Sequence, residues 1–376
     1  MGIPTALYIH IPFCATKCFY CDFNTYSFHK EQSDAYLKAL HMEMNAYASM
    51  GASLQTVFIG GGTPSILSPN SLRRMFTSLQ ENFQIEAGAE FTIECNPGTV
   101  DAEKLAIMRD CDVNRLSFGV QAMDDSILQR IGRIHSVNDI LNSYQMAREY
   151  NFDNINLDLI FALPEQTLDQ WQYSLDKVID LEPEHISAYN LTVEEGTKFY
   201  DWWDAGKLAL PNNEIEADMY QLSIEKLTQA GYFHYEISNF AKLGCEVKHH
   251  LTYWDNESYI GLGAGASGYI DGYRYTNVRG IPEYIGLVGQ AKKPIVYRES
   301  LIGIQAKAET IVLGLRKLEG ICFDRYQKLF GQPITEEFGQ TIDRLTELGL
   351  VETSKDHLRL TERGLMLAND VFTEFL

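Results

Sequence analysis

Six short runs of β-branched and apolar residues recur through residues 1–240, and amphipathic stretches of helical period separate them. The runs are 6–13 (ALYIHIPF), 56–62 (TVFIGGG), 90–96 (EFTIECN), 115–121 (RLSFGVQ), 155–161 (INLDLIF) and 185–192 (HISAYNLT). The intervening helical patterns include 33–50 and 68–83. Strand-then-helix units repeated in this way predict a parallel sheet joined by right-handed crossovers. The expected fold class is α/β, a partial (β/α)6 TIM-like barrel in preference to a flat doubly wound sheet. Either architecture gathers its chemistry at the C-terminal ends of the strands.

Polar and sulfur-bearing residues do recur at that edge. Cys14, Cys18 and Cys21 follow the first strand in C-x3-C-x2-C spacing. Three thiolates on one short loop can each hold one iron of a cubic [4Fe–4S] cluster, whose irons are normally held by cysteine. The fourth iron is then left open, as a place where a small molecule can bind and receive an electron. A zinc site is the alternative, but tetrahedral zinc wants a fourth ligand, and neither His10 nor His29 sits at a usual spacing. Seven cysteines, an odd number, with no signal peptide argue against a disulfide framework.

Further along, Gly60, Gly61, Gly62, Thr63 and Pro64 follow strand two, and Glu94, Asn96 and Pro97 end strand three. Gln121 ends strand four and Asp158 lies within strand five. Taken singly these signals are ambiguous. The glycine run suits either a tight turn or a close backbone approach to a ligand. Glu94 suits a ribose hydroxyl pair or a solvated strand end. Arg133 suits a ligand carboxylate or a surface ion pair.

Composition narrows the partners. The chain carries 31 basic and 51 acidic residues, a net charge of −20, which would repel a phosphate backbone and argues against nucleic acid. No apolar run approaches the roughly 20 residues that span a bilayer, so no membrane-spanning segment is expected and peripheral contact is left open. Absence of a signal sequence points to the cytoplasm, whose reducing conditions suit thiolates that hold a cluster.

The pattern changes after residue 200. A long helix over about 212–230 precedes a strand, and 248–269 is rich in histidine, aromatics and glycine. The last stretch reads as helices followed by a short hairpin, a winged-helix-like module without clustered basic residues, which suggests a covering or structural role. The expected division is 1–240, a core barrel with the cluster site; 241–295, a connecting segment; and 296–376, a C-terminal helical module.

Taken together, YIHIPFC-x3-C-x2-C, GGGTP, IECNP, LSFGVQ, R-x-H and NLDLIFALPEQT closely resemble the oxygen-independent coproporphyrinogen III oxidase family. That family uses radical S-adenosylmethionine (SAM) chemistry, and the resemblance covers nearly the whole chain. It implies that Cys14, Cys18 and Cys21 hold a [4Fe–4S] cluster, with Tyr8 and the backbone near Tyr20 on SAM. Gly61, Gly62 and Thr63 would lie along the methionine end, Glu94 on the ribose, and Gln121, Arg133 and Asp158 would complete the pocket. Thr192 would add to it. The chemistry implied is one-electron cleavage of SAM to methionine and a 5′-deoxyadenosyl radical.

Two departures select a branch. The decarboxylating enzymes resemble C-x3-C-x2-C-x-C, and the last position here is Phe23. They also carry a longer N-terminal arm, whereas seven residues precede Tyr8 here. Both features point to the branch regarded as haem chaperones, without coproporphyrinogen oxidase activity. The rival reading is a radical SAM enzyme that decarboxylates propionates or otherwise modifies a tetrapyrrole, by methylation or ring opening. The chaperone branch typically shows H-N-x-x-Y-W, and this chain has His249, His250, Leu251, Thr252, Tyr253 and Trp254. Imidazole suits haem iron, which makes His249 the first candidate ligand and His250 the second. The implied partners are haem, a haem-acceptor protein and an electron donor for the cluster. Cys95, Cys111, Cys245 and Cys322 read as buried apolar residues.

Overall fold

The computed structural model describes residues 3–376. A twelve-stranded sheet organises most of them. Its strands in chain order are β1 (Ala6–Ile11), β2 (Ser53–Gly61), β3 (Gln84–Cys95), β4 (Arg115–Gln121), β5 (Ile155–Phe161), β6 (His185–Asn190), β7 (Phe233–Glu236), β8 (Asn239–Ala241), β9 (Tyr259–Leu262), β10 (Ser267–Ile270), β11 (Tyr273–Asn277) and β12 (Ile295–Ser300). In space they run β12-β11-β10-β9-β1-β2-β3-β4-β5-β6-β8-β7. β1 to β6 stand side by side in sequence order and all parallel. The two edges of the sheet do not pair with each other, so the barrel is partial.

Burial explains why these strands are readable. β5 is buried at every position except half-buried Asp158, because a parallel strand covered on both faces is apolar throughout. The crossover helices supply the outer cover. α1 (Lys30–Ala48) and α2 (Pro69–Asn82) pack side by side; α2 starts where the Ser68 hydroxyl accepts the Ser71 N–H and Pro69 presets the first turn. Later in the chain come α3 (Ala102–Asp110), α4 (Asp125–Arg130), α5 (Val137–Glu149) and α6 (Leu168–Asp180). α6 begins with a capping box between Thr167 and Gln170 and buries Trp171, Ser174, Leu175 and Val178, one stripe at i, i+3, i+4, i+7. Beyond α7 (Lys198–Asp204), the Trp171 indole N–H is directed between the Met219 carbonyl (2.9 Å) and the Ser223 hydroxyl (3.0 Å) of α8 (Asn213–Gln229).

β9 inserts parallel beside β1, in the register Ala6↔Tyr259, and β10 to β12 extend that edge antiparallel. The segment 241–295, set apart by composition in the sequence, is therefore continuous with the sheet. Its Ile260 and Leu262, and Tyr284 of α10 (Ile281–Gly289), belong to the main core.

The C-terminal residues form a second core. α11 (Gly303–Gly314), β13 (Ile321–Cys322), α12 (Phe323–Phe330), α13 (Thr335–Glu347), β14 (Val351–Thr353) and β15 (His357–Leu360) follow a winged-helix-like order, with the small sheet β13-β15-β14. Ile311, Leu315, Tyr326, Leu358 and Val371 fill its interior. No helix among the described residues is long and apolar enough to cross a membrane.

Candidate functional site

The three cysteines share a loop that is closed at both ends. A two-residue parallel ladder pairs Phe13 with Tyr26 and Cys14 with Ser27. In the middle, the Phe19 N–H donates to the Ile131 carbonyl (3.1 Å) and the Phe19 carbonyl accepts from Phe199 (3.0 Å). All seven cysteines are free, and the three loop thiols are half-buried around one cavity of about 300 Å3. Burial raises the Cys14 pKa and pushes Cys21 up to about 11. Without a metal both are thiols at neutral pH, and binding iron would release their protons.

The wall opposite is built from strand ends. The Gly61 N–H donates to the Glu94 carboxylate (2.9 Å). Gly61 has φ +106°, and a Cβ there would lie 2.3 Å from the His10 ring, so only glycine fits. The Thr63 hydroxyl contacts the Cys14 sulfur at 3.5 Å and accepts from the Asn96 amide (2.9 Å). Arg133 then joins the two sides: its guanidinium donates to Asn96 Oδ1 (3.0 Å), to the Gly119 carbonyl and to the Cys18 sulfur (3.4 Å). A Cβ on Gly119 would meet Arg133 Nη2 at 2.6 Å, so this close approach also requires glycine. At the next turn Gln121 sits at φ +69° beside a register shift in the β4–β5 pairing, which re-aims the strand end toward the cavity. Its Oε1 is buried with no partner, as is Arg133 Nε.

Two carboxyls face this space. Burial pushes Glu94 up to about 7, helped by the nearby Asp158 and opposed by the Gly61 N–H. Asp158 is also raised by burial, although Asn156 (2.8 Å) and Ser117 (3.2 Å) donate to it.

The N-terminal ends of the parallel strands form the floor of the cavity, and α9 (Lys248–Trp254) lies against them. The Glu90 carboxylate holds the start of this helix by accepting the Lys248 and His249 N–H groups, both at 3.0 Å. His249 is fully buried with both ring nitrogens engaged, Nδ1 with the Thr56 hydroxyl (2.8 Å) and Nε2 with the Tyr253 hydroxyl (2.7 Å). His250, one residue on, turns instead into the cavity, tilted against Phe58 with ring centroids 5.4 Å apart. Burial and the nearby Arg115 lower its pKa to about 3, so its imidazole stays neutral with a lone pair free for a metal. His249, the first candidate from the motif, is thus committed to packing, and the imidazole that faces the cavity is that of His250, the second.

The structure brings together on this cavity Cys14, Cys18, Cys21, Tyr20, Gly61, Gly62, Thr63, Glu94, Gln121, Arg133, Asp158 and His250. Two expected residues stand apart. The Tyr8 hydroxyl donates to His10 Nδ1 (2.9 Å), whose Nε2 donates to the Asn24 carbonyl (2.9 Å), so Tyr8 braces the cysteine loop and is not on the lining. Thr192 lies exposed past the end of β6 and is also off the lining. Sequence reasoning missed Arg115, Ser117, Asn156 and Ser187 on the floor. Each is a polar residue at a buried position of a parallel strand, the one available signal. Of the other cysteines, Cys95 and Cys111 are buried as expected, while Cys245 and Cys322 are only half-buried.

The donor set is of a kind that can hold an iron–sulfur cluster with an open site. Three thiols face one cavity, and unpartnered buried polar atoms of Gln121 and Arg133 face the same space. Among the described residues, no three His, Cys, Asp or Glu side chains converge on a single-ion site. A larger groove of about 860 Å3, between α1 and α2, has none of the strand-end groups.

Comparisons with known proteins identify the fold and the family. The family model of the radical SAM superfamily matches residues 8–178, and that of the HemN C-terminal domain matches 304–367. A solved structure of coproporphyrinogen III oxidase HemN from Escherichia coli, described as a radical SAM enzyme, superposes with TM-score 0.86 at 25% identity, covering 99% of this chain and 90% of that one. Heme chaperone HemW from Escherichia coli is 32% identical, over 99% of this chain and 98% of its own. Heme chaperone HemW from Bacillus subtilis is 44% identical, over 98% of each chain. At such identity along its whole length, the chain belongs to the family of radical SAM proteins whose members bear the name heme chaperone HemW.

Proposed function

We propose that this protein binds haem and passes it to an acceptor protein in the cytoplasm, and that it carries a [4Fe–4S] cluster on Cys14, Cys18 and Cys21 with SAM in the adjoining cavity. The observation that carries the reading is the placement of His250. A neutral imidazole without a hydrogen-bond partner among the described residues faces the same cavity as the three thiols. The relatives' printed name supports the haem assignment.

When bound and reduced, the cluster would supply one electron to the SAM sulfonium. The chain's own residues do the rest. Thr63, Asn96 and Arg133 tie the cavity wall to Cys14 and Cys18 and fix the loop. Glu94, Gln121 and Asp158 offer polar groups to SAM's ribose and amino-acid ends. Tyr20, half-buried beside Cys18 and Cys21, shields this side of the cavity from water. Phe23, 61% exposed where decarboxylating relatives place a fourth cysteine, supplies no ligand. An electron donor completes the system.

Anaerobic haem titration followed by the Soret band tests the reading. Saturable, near-stoichiometric binding that His250→Ala weakens is the expected result. Absence of saturable binding, together with vinyl product from coproporphyrinogen under reducing conditions, would overturn it in favour of a tetrapyrrole decarboxylase.

A further inference from the structure

Arg115 opens β4, on the cavity floor, and it is 1% exposed. Its guanidinium is always charged, with five N–H donors in a fixed fork. Among the described residues, however, it forms no salt bridge, and its Nε and Nη2 are buried with no hydrogen-bond partner. Asp158, a carboxyl within reach of the Arg115 charge, is held by Ser117 and Asn156 instead. Tyr235 is engaged by His185 (2.7 Å) and receives the Val247 N–H (3.3 Å). A buried, unpaired cation is costly, and folds rarely keep one unless a counter-ion arrives. Ser117, Asn156, His185 and Tyr235 are engaged with other partners, and the unpartnered Thr92 hydroxyl, opposite Arg115 across the β3–β4 pairing, is neutral and cannot balance its charge. The vacancy in this network is therefore an anion with two oxygens.

The geometry points to Arg115 as a carboxylate receptor on the cavity floor, beside His250, that takes a carboxylate of the bound ligand in its fork. This rests on the reading of the cavity as the haem- and SAM-binding chamber. The favoured source is a haem propionate, because the floor sets a metal-binding imidazole and a carboxylate-binding guanidinium side by side and haem presents both partners. The methionyl carboxylate of SAM carries the same chemistry. For that carboxylate Arg133, which donates to Cys18 and Asn96 on the cluster side, offers another cation.

The test uses the full chain, anaerobically reconstituted, with Arg115→Met, which keeps the apolar stem and removes charge and fork. Ferric haem, haem dimethyl ester, SAM and decarboxylated SAM are titrated separately. A charge-assisted, bidentate contact predicts a loss of roughly ten- to thirtyfold in haem affinity, with no loss for the diester. Thermal unfolding of the ligand-free variant should be unchanged or higher, since an uncompensated buried charge has been removed. If the loss falls on SAM and disappears with decarboxylated SAM, the receptor stands and SAM is the source. Equal affinities of variant and parent for all four ligands would overturn it. So would a lowered unfolding temperature without ligand selectivity, the mark of a structural arginine. Should Arg115→Met fail to fold, Arg115→Lys, which keeps the charge and loses the fork, should show the same selectivity with a smaller loss, and its absence would refute the receptor. If the parent protein binds no haem, the chaperone reading fails by itself, and the SAM pair still decides the role of Arg115.

Discussion

Adjacent histidines on α9 should give opposite results when each is replaced by alanine. His249→Ala removes two hydrogen bonds, to Thr56 and Tyr253, and leaves both hydroxyls inside the protein without that partner. With about 1 kcal/mol for each bond and a further 1–2 kcal/mol for the stranded groups and the space left behind, the loss is about 3–4 kcal/mol. At about 2.1 cal/mol/K per residue, 376 residues give an unfolding entropy of about 0.8 kcal/mol/K, so Tm should fall by about 4–5 °C for a chain that unfolds as one unit. His250→Ala breaks no hydrogen bond among the described residues and should cost less than about 1 kcal/mol. It removes the cavity-facing imidazole, so haem affinity should fall at least about tenfold. Calorimetry and Soret titration on the two variants provide the assay. A wild-type Tm in His249→Ala, or wild-type haem affinity in His250→Ala, would refute the reasoning.

Other perturbations probe the rest of the site. Replacing Cys14, Cys18 or Cys21 with serine should abolish cluster reconstitution, while Cys245→Ser, half-buried and away from the cavity, should leave iron and sulfide content unchanged. Gly119→Ala should drive Arg133 off Asn96 and Cys18 and weaken SAM about tenfold, as read by the SAM-dependent change in the cluster's EPR signal. Glu94 holds its proton up to about pH 7 in the fold, against about 4.5 unfolded. The unfolded chain thus loses that proton first, and the apo-protein is penalised progressively as pH rises from 4.5 to 7, by at most about 3 kcal/mol. Glu94→Gln should therefore stabilise the apo-protein more at pH 8 than at pH 5 in denaturant titrations, and a pH-independent difference would contradict this. Trp171→Phe should cost about 2 kcal/mol in chemical denaturation, because the Met219 carbonyl and Ser223 hydroxyl lose their shared donor.

The six parallel strands were legible because buried parallel strands are written as unbroken apolar runs, and β4 and β5 follow those runs residue for residue. The cavity's upper rim was legible for a related reason: cysteines, glycines and amides at strand ends have no packing role to hide behind. Insertion of β9 beside β1 was not, since the pairing joins residues some 250 positions apart and leaves no local trace. Nor was the division of labour between His249 and His250. Composition registers two histidines, but neighbours on a helix point about 100° apart, and only the docking of α9 on Glu90 decides which faces the cavity. Arg115 escaped notice for a simpler reason: as the first letter of an apolar run it reads as a boundary, while its side chain reaches into the interior.

The residue that caps the C-terminal end of α9 also belongs to the second core's attachment. Asp255 accepts from Lys317 at 2.7 Å, and its carbonyl accepts from Arg325, while the next residue, Asn256, donates to Thr310 of α11 at 2.9 Å. The helix that carries His250 is therefore clamped at one end to the strand floor, through Glu90, and at the other to the C-terminal module. A protein that grips that module takes hold of the far end of the same short rod, and a tug on it reaches the imidazole through five residues of helix.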